Sequence, residues 1–296
     1  MYPPPFAYAR AGSLEEALQA LAEHGDEARL LAGGQSLLPF MKLFQVGPTV
    51  LVDISRLEGL DGVADERAGL QLGPLTRHVQ IARVEWPARL AILSDAARVI
   101  ADVQVRNRGT VGGSLAYADA AGDWAPALIA LGASVLLRSD RSERSVPLDE
   151  FFTGEHETVI GPSEMITEIH APPVSAAATG AYFKLARRHG DYAVASVGVQ
   201  IDWAEDGRIE RAGIGIGGAG TTAVKAAAAE AFLNGKTIDS SVLETASELV
   251  MDAVDPISDF RGSAEYRTAM VGELFVRALN GTLHRSQGES VAAGYV

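Results

Sequence analysis

The stretch LAGGQSLLPFMK, residues 31–42, stops a strand at two adjacent glycines and then starts a new apolar segment. The apolar run Ala28 to Ala32 has the composition of a buried strand, and Gly33-Gly34 ends it. Glycine loses more backbone entropy on folding than alanine does, so two adjacent glycines need a reason. Either they form a plain turn, or a ligand approaches the backbone so closely that a Cβ would block it.

A second loop, GTVGGS at residues 109–114, has the same character. Both loops combine paired glycines with hydroxyl or amide side chains, namely Gln35 and Ser36 in the first and Thr110 and Ser114 in the second. Consecutive backbone N–H groups in such loops form anion-binding nests. Neither loop carries the lysine of a triphosphate-binding loop. The pair predicts a bound pyrophosphate that is not cleaved, with two independent turns as the alternative.

A third cluster, AGIGIGGAG at residues 212–220, matches G-x-G-x-x-G through Gly213, Gly215 and Gly218, and Asp239 follows at a suitable distance. The strand before it is joined to its neighbour through Asp206-Gly207, a strong hairpin signal. A hairpin implies an antiparallel sheet, whereas the dinucleotide fingerprint requires a parallel β-α-β unit. We therefore expect these glycines to serve tight packing between a strand and a helix.

Composition limits the classes of function. The 296 residues are 47% hydrophobic and carry a net charge of −13, which suits a folded protein of about two domains and disfavours nucleic-acid binding. The absence of cysteine excludes disulfides and iron–sulfur ligation by this chain, and six scattered histidines predict no metal site. The longest apolar run, Trp124 to Leu137, is too short to span a membrane, so we expect a cytoplasmic protein.

Periodicity and turn signals predict an opening β-α-β-like unit, with a helix capped by Ser13 and ended by Gly25. A mixed region of strands and helices follows, and residues 172–180 form a linker rich in proline and alanine. Beyond the linker we expect the hairpin, three helical stretches and a mobile tail. The predicted segments are strands at 28–32, 49–54, 69–73, 134–138 and 164–171, and helices at 124–131, 222–233, 240–254 and 264–282.

Three motifs, taken together, are recognisable. LAGGQSLLPFMK (31–42), RNRGTVGGSLAYADAAGD (106–123) and FKLARRHGDYAVASVGV (183–199), in this order and spacing, resemble the FAD-binding medium subunit of molybdenum hydroxylases. This family includes the medium chains of aerobic carbon monoxide dehydrogenase and of xanthine-type dehydrogenases. The resemblance extends from about Pro3 to Leu283, nearly the whole chain.

The resemblance implies an α+β fold. Residues 1–175 would form an FAD-binding domain of the p-cresol methylhydroxylase type in two parts, 1–56 and 57–175. Residues 178–284 would form a smaller α+β C-terminal domain with an antiparallel sheet and helices, and residues 285–296 would be a mobile tail.

By motif position, the two glycine loops would hold the FAD diphosphate and ribityl chain. The first loop supplies Ala32, Gly33, Gly34, Gln35, Ser36 and Leu37, and the second supplies Thr110, Val111, Gly112, Gly113 and Ser114.

Four further residues match family positions at the cofactor. Asp123 would bind FAD, cap the helix that starts at Trp124, or do both. Ile166 would contact the adenine or flavin end, or be an ordinary core residue. Lys184 would lie near the isoalloxazine, where a cation stabilises the reduced anionic flavin, and Tyr192 would cover one ring face. A surface position without contact to FAD is the alternative for both. No catalytic side chain is expected.

The chain also departs from the family pattern at three places. Many relatives have His or Asn at the position of Tyr117 and Pro at that of Ala120, which predicts a differently shaped loop before Asp123. Gln35 stands where carbon monoxide dehydrogenase chains often carry His, which weakens the case for carbon monoxide as the substrate.

The implied function is that of an FAD-carrying electron-transfer subunit. A molybdenum cofactor on a large subunit and [2Fe-2S] clusters on a small subunit would precede FAD, and a quinone or other acceptor would follow it. The subunits would form a heterotrimer, paired into a dimer of heterotrimers. Aerobic carbon monoxide dehydrogenase is the favoured complex. The alternatives are a xanthine or N-heterocycle dehydrogenase medium subunit, a self-contained FAD oxidase or dehydrogenase of the p-cresol methylhydroxylase type, or a scaffold subunit without FAD.

Overall fold

The structure, a computed structural model, describes residues 2–295. Its strands are Ala7–Arg10 (β1), Ala28–Leu31 (β2), Val50–Asp53 (β3), Val63–Glu66 (β4), Gly69–Leu72 (β5), Ser134–Arg138 (β6), Glu143–Pro147 (β7), Phe152–Gly154 (β8), Glu157–Thr158 (β9), Met165–Ala171 (β10), Thr179–Leu185 (β11), Ala195–Trp203 (β12), Ile209–Gly217 (β13), Val224–Lys225 (β14) and Gly294–Tyr295 (β15). Its α-helices are Leu14–His24 (α1), Leu37–Lys42 (α2), His78–Arg83 (α3), Ala91–Val99 (α4), Val103–Arg106 (α5), Val111–Tyr117 (α6), Trp124–Ala130 (α7), Ala227–Leu233 (α8), Ser240–Asp252 (α9) and Ala264–Ser286 (α10).

The first part of the chain is a small parallel sheet in the order β1-β3-β2, covered by α1. As predicted, Ser13 caps α1, because its side-chain oxygen accepts a hydrogen bond from the Glu16 N–H, and Gly25 ends the helix at φ 51°. Strand β1 was not predicted, since all four of its residues are exposed and it lacks the alternation of a half-buried strand.

The second part is a five-stranded antiparallel sheet in the order β4-β5-β10-β6-β7. Helices α4 and α7 belong to its hydrophobic core, which includes the fully buried Trp124 and Phe151. The predicted strands 69–73 and 134–138 and the predicted helix 124–131 all lie here, within one residue of their observed bounds. This core supports the loop that precedes α6.

The C-terminal part is a second antiparallel sheet, in the order β14-β13-β12-β11, with β15 added in parallel at its edge. The predicted hairpin at Asp206-Gly207 is confirmed, because β12 and β13 pair on either side of it. One face of this sheet packs against α8, α9 and α10, and the other against α4 and α7 of the preceding part. The chain thus has the α+β class expected, with mixed helices and antiparallel sheets.

The glycine cluster of β13 lies against α7. A Cβ built on Gly215 would collide with the Pro126 carbonyl oxygen, and one built on Gly213 would collide with that of Ala130. The expectation of tight strand-to-helix packing is therefore confirmed for Gly213 and Gly215, although the helix belongs to the preceding part of the chain. It is wrong for Gly218, which has φ 74° and lies against the Val194 carbonyl. The antiparallel pairing of β13 with β12 excludes a parallel β-α-β nucleotide unit at these glycines.

A buried ion pair crosses between the two halves of the chain. The Arg285 guanidinium donates to both carboxylate oxygens of Asp95, at 2.7 and 3.0 Å, and also to the Gly180 carbonyl. Burial raises the pKa of the Asp95 carboxyl, and Arg285 partly offsets that effect. Asp95 and Arg285 lie 190 positions apart in sequence, so the folded chain alone brings them together.

The tail that we predicted to be mobile has a defined position at its end. Helix α10 continues to Ser286, past the predicted limit, and Gly294–Tyr295 pairs in parallel with Phe183 and Lys184 of β11. Gly294 has φ 113°, a conformation that favours glycine. The small, polar composition of residues 285–296 gave no sign of this pairing, because it depends on a strand more than a hundred residues away.

Among residues 2–295, no helix combines the length and apolar character needed to cross a membrane. The same residues contain no cluster of three or more His, Asp or Glu side chains able to hold a metal ion.

Candidate functional site

The first glycine loop presents unpaired backbone donors. From Ala32 to Leu37, none of the six N–H groups donates a hydrogen bond to an acceptor within residues 2–295. Gly34 has φ 71°, which turns the chain between β2 and α2, and the Gln35 amide donates back to the Gly33 carbonyl. The loop is partly exposed. It therefore offers a run of consecutive N–H groups to solvent or to an anion, as a nest requires.

The second loop differs, because protein acceptors already use its backbone donors. The pairs are Val111 N–H to Thr76 O, Gly112 N–H to Pro74 O, Gly113 N–H to Thr110 Oγ1 and Ser114 N–H to Thr110 O, at 2.9 to 3.2 Å. The prediction of a second backbone nest is therefore not met at these four residues. What this loop can offer a ligand is the hydroxyl groups of Thr110 and Ser114.

The two loops touch each other. A Cβ built on Gly33 would collide with the Arg108 carbonyl oxygen and lie 2.8 Å from the Gly109 Cα. Gly33 is therefore bare for a reason within the protein, which is close approach to the second loop. Gly113, in contrast, is exposed, and within 4 Å a Cβ there would meet Thr110 Oγ1, at 2.8 Å, and no other atom of the described residues. The loops form one site, and Gly113 lies on its exposed side.

A buried histidine that the sequence did not single out supports this site. His78 Nδ1 accepts a hydrogen bond of 2.9 Å from the Trp124 indole N–H, and Nε2 faces Gly109, where a Cβ would lie 2.6 Å away. Burial, with a smaller effect of Arg106, lowers the pKa of His78 to about 4, so the ring is neutral at pH 7. The requirement for glycine at 109 follows from this ring, and the indole contact links the loop to the start of α7.

Asp123 and Lys184 face each other in the interior. Lys184 Nζ lies 2.9 Å from Asp123 Oδ2, and the Tyr182 hydroxyl donates to Asp123 Oδ1 at 2.7 Å. The Asp123 side chain is 5% exposed and the Lys184 side chain is 1% exposed. Lys184 also donates to the Val99 carbonyl at 3.1 Å. Burial raises the pKa of the Asp123 carboxyl, and Lys184 and Tyr182 act in the opposite direction.

The Asp123 side chain does not cap α7. Asp123 does occupy the position before α7, but its side chain makes no capping hydrogen bond. Both carboxylate oxygens accept instead from Tyr182 and Lys184 of the C-terminal sheet. The helix begins where the sequence indicated, for a different reason.

Tyr192 lies at the edge of this region. It is 42% exposed, and the Arg261 guanidinium lies 5.9 Å from its ring centroid. Burial raises the pKa of the Tyr192 hydroxyl, and nearby Asp119, Tyr117 and Asp123 add to that effect. The geometry thus brings Tyr192 close to the segment that follows the second glycine loop.

Ile166 is placed differently from the other candidates. It is 6% exposed, pairs with Leu137 across β10 and β6, and belongs to the same hydrophobic core as Val111 and Leu115 of α6. Its side chain therefore packs with α6, whose first turn contains residues 111–114 of the second loop.

An aromatic cluster that the sequence did not predict joins the two parts of the site. The ring of Tyr117, at the end of α6, lies 5.3 Å from that of Phe40 on α2 and 4.6 Å from that of His156. His156 has φ 57°, and its N–H donates to the Ala118 carbonyl. The departure from the family pattern at Tyr117 marked this position, but it did not indicate Phe40 or His156, which are remote from it in sequence.

Comparison with known proteins gives consistent matches over the whole chain. Residues 4–174 match the family model described as the FAD binding domain in molybdopterin dehydrogenase, and residues 180–282 match that of the CO dehydrogenase flavoprotein C-terminal domain. The 6-hydroxypseudooxynicotine dehydrogenase complex subunit alpha of Paenarthrobacter nicotinovorans is 38% identical, over 97% of each chain. The carbon monoxide dehydrogenase medium chain of Hydrogenophaga pseudoflava is 36% identical, over 95% of this chain and 98% of its own.

The fold is similar as well. A structure of carbon monoxide dehydrogenase from Hydrogenophaga pseudoflava, in a form that lacks the Mo-pyranopterin moiety of the molybdenum cofactor, aligns with a TM-score of 0.92. That alignment covers 96% of this chain and 99% of the other, at 38% identity.

Proposed function

Because this chain belongs to the family of FAD-binding subunits of molybdopterin dehydrogenases, we propose that its two glycine loops hold the diphosphate of its FAD cofactor. The chain is accordingly a subunit of an oxidoreductase. The observation that carries the proposal is the run of six backbone N–H groups, Ala32 to Leu37, without an acceptor among residues 2–295. This run fits a diphosphate, whose oxygens need several donors, and the exposed Gly113 lies on the neighbouring loop.

We assign different roles to the two loops. The first loop binds phosphate oxygens through backbone N–H groups, from Ala32 through Gly33, Gly34, Gln35 and Ser36 to Leu37. The second loop contributes the Thr110 and Ser114 hydroxyl groups, while Val111, Gly112 and Gly113 shape the wall against which the cofactor lies. The division follows from the hydrogen bonds, which occupy the donors of the second loop and leave those of the first free.

The remaining candidates lie toward the flavin end in this proposal. Tyr192 covers one face of the ring system. Lys184 provides the positive end of a buried ion pair whose negative end, Asp123, compensates most of its charge. Asp123 acts on FAD chiefly through Lys184, since both its oxygens accept hydrogen bonds from protein donors. Ile166 supports α6 from the core. FAD itself supplies the one- and two-electron chemistry, so no side chain of this chain needs to act as a nucleophile or base.

We further propose that the chain transfers electrons within a complex. [2Fe-2S] clusters on a small subunit would be the donors, a large subunit would hold the molybdenum cofactor, and a quinone or other molecule would be the acceptor. Relatives named medium chain or complex subunit support a multi-subunit assembly. The dimer of heterotrimers and the cytoplasmic location stay predictions from the sequence.

The choice of complex rests on small differences. Carbon monoxide dehydrogenase is the favoured assembly, because the medium chain of the Hydrogenophaga pseudoflava enzyme aligns over 95% of this chain and a structure of that enzyme has the same fold. The subunit named for 6-hydroxypseudooxynicotine matches equally well, and Gln35 departs from the carbon monoxide pattern. Oxidation of an N-heterocyclic compound is therefore the second candidate.

The cofactor assignment is tested on the isolated chain. We expect one noncovalent FAD per chain, released completely by acid. Gly113→Ala should weaken FAD binding at least about tenfold, because its methyl group adds bulk at an exposed position and would displace the Thr110 hydroxyl, which lies 2.8 Å from the Cβ position. Gly47→Ala is the matched control, since a Cβ at Gly47 meets nothing within 4 Å. Equal FAD affinity of both variants would contradict the assignment.

The electron-transfer role is tested by reconstitution. The isolated FAD-loaded chain should show no reduction of its flavin by carbon monoxide, purines or N-heterocyclic compounds. Addition of the two partner subunits should restore reduction by one of them. Bleaching of the flavin by a small organic substrate without partners would favour the self-contained oxidase, and absence of FAD would favour the scaffold subunit.

A further inference from the structure

The segment after α10 returns to the region of the proposed flavin site. Gly294 and Tyr295 pair with Phe183 and Lys184 of β11, and a Cβ on Gly294 would lie 2.9 Å from the Val99 Cγ1. Tyr295 is therefore held beside the buried lysine and the end of α4, and neither contact follows from the sequence resemblance.

The Tyr295 hydroxyl joins two backbone groups, one in the loop before Tyr192 and one at the end of α4. It donates to the Val99 carbonyl at 2.8 Å and accepts from the Gly190 N–H at 2.8 Å. A tyrosine hydroxyl has one hydrogen to donate and lone pairs to accept, so both its functions are used. The bond to Gly190 fixes residues 187–191, which lead directly into Tyr192.

The Tyr295 ring adds further contacts. Its centroid lies 4.7 Å from that of His189 and 5.6 Å from Lys184 Nζ. Lys184 also donates to the Val99 carbonyl that Tyr295 uses, so both side chains converge on one oxygen. Tyr295 thus contacts Lys184 directly and connects to Tyr192 through the loop.

We propose that Tyr295 is a positioning residue for the flavin face, holding the 187–192 loop against the end of α4 so that Tyr192 stays over the ring. This inference rests on the proposed function for its last step alone. The tethering of the loop by Tyr295 concerns protein groups and holds whether or not FAD is present.

Tyr295→Phe is the direct test, because it removes the hydroxyl and keeps the ring contacts. In the FAD-free chain, we expect the Gly190 amide to exchange with solvent about fivefold faster, the factor that matches one hydrogen bond of ordinary net strength. Amides of β12 should not change. Tyr2→Phe is the control, since Tyr2 is 89% exposed. Unchanged exchange at Gly190 would overturn the tether.

The second arm reads the flavin directly. Tyrosine in contact with a flavin quenches its fluorescence by electron transfer, so displacement of Tyr192 should brighten the bound FAD in Tyr295→Phe. Tyr192→Phe should brighten it too, and the double variant should match Tyr192→Phe, because the hydroxyl acts through Tyr192. Additive brightening in the double variant, or none in Tyr295→Phe, would refute the positioning role. If the wild-type chain binds no FAD, that result counts against the proposed function. Hydrogen exchange at Gly190 then still tests whether Tyr295 tethers the loop.

Discussion

Lys184→Met removes the cation that faces the buried Asp123 carboxylate and keeps a side chain of similar length. The pair is 2.9 Å apart, and the two side chains are 1% and 5% exposed, so solvent gives little screening. Breaking a buried ion pair by removing one partner destabilises proteins by about 3–5 kcal/mol, because an uncompensated charge stays buried. At about 2 °C per kcal/mol for a chain of this size, the melting temperature should fall by about 6–10 °C.

The pH dependence follows from the sign of the pKa shift. Burial already raises the pKa of Asp123 above its ordinary value of 3.8, and the variant loses the opposing effect of Lys184. A carboxyl whose pKa is higher in the folded state is easier to ionise after unfolding, so stability falls as pH rises from about 4 through the folded-state pKa. The deficit of Lys184→Met should therefore be large at pH 7 and smaller near pH 4.5.

The measurement is denaturant unfolding of the FAD-free chain at both pH values, since bound FAD would add its own stabilisation. Asp123→Asn combined with Lys184→Met removes both charges and keeps an acceptor for the Tyr182 hydroxyl. This double variant should recover most of the loss and its pH dependence. A single-variant loss below about 1 kcal/mol, as for an exposed pair, would refute the reasoning, as would an equal loss in the double variant.

Three further changes test other contacts. Gly112→Ala should destabilise the chain by about 1–3 kcal/mol in thermal unfolding, because its methyl group would collide with Pro74. Gly215→Ala should have an effect of similar size, through collision with a backbone carbonyl of α7, and wild-type stability would exclude that packing. Arg285→Met should lower stability by about 3 kcal/mol at pH 7 and by less near pH 4.5, because the Asp95 carboxyl, its pKa raised by burial, would stay buried without its partner.

Local signals in the sequence were sufficient for local structure. The cap at Ser13, the stop at Gly25 and the hairpin at Asp206-Gly207 each depend on residues within a few positions of one another. The glycine loops were located for the same reason, since a bare backbone is visible in the sequence. The family resemblance placed Lys184 near the same cofactor as the two glycine loops. The periodicity of the sequence gave no such indication.

Contacts between remote residues were not predictable in this way. Asp95 and Arg285 lie 190 positions apart, and Tyr295 lies 196 positions from its Val99 acceptor. Neither residue of such a pair carries a local mark of its partner. In the pairs Asp123–Lys184 and Asp95–Arg285, the carboxylate belongs to the FAD-binding part and the cation to the C-terminal part. Opposite charge alone does not identify these partners, because the chain has 38 acidic residues.

Gly112 and Gly113 show why sequence alone could not separate fold from function at the site. Both stand in one motif and both lack a side chain, yet Gly112 is buried against Pro74 and Gly113 is exposed beside the Thr110 hydroxyl. A side chain at Gly112 would collide with Pro74, whereas one at the exposed Gly113 would meet only the Thr110 hydroxyl among the described residues. The backbone donors of the second loop bind acceptors at Pro74 and Thr76 and at Thr110, which attach the loop to the segment before α3. The second loop is therefore suited to be the fixed wall of the FAD site, and the first loop, with its free donors, is suited to bind the anion.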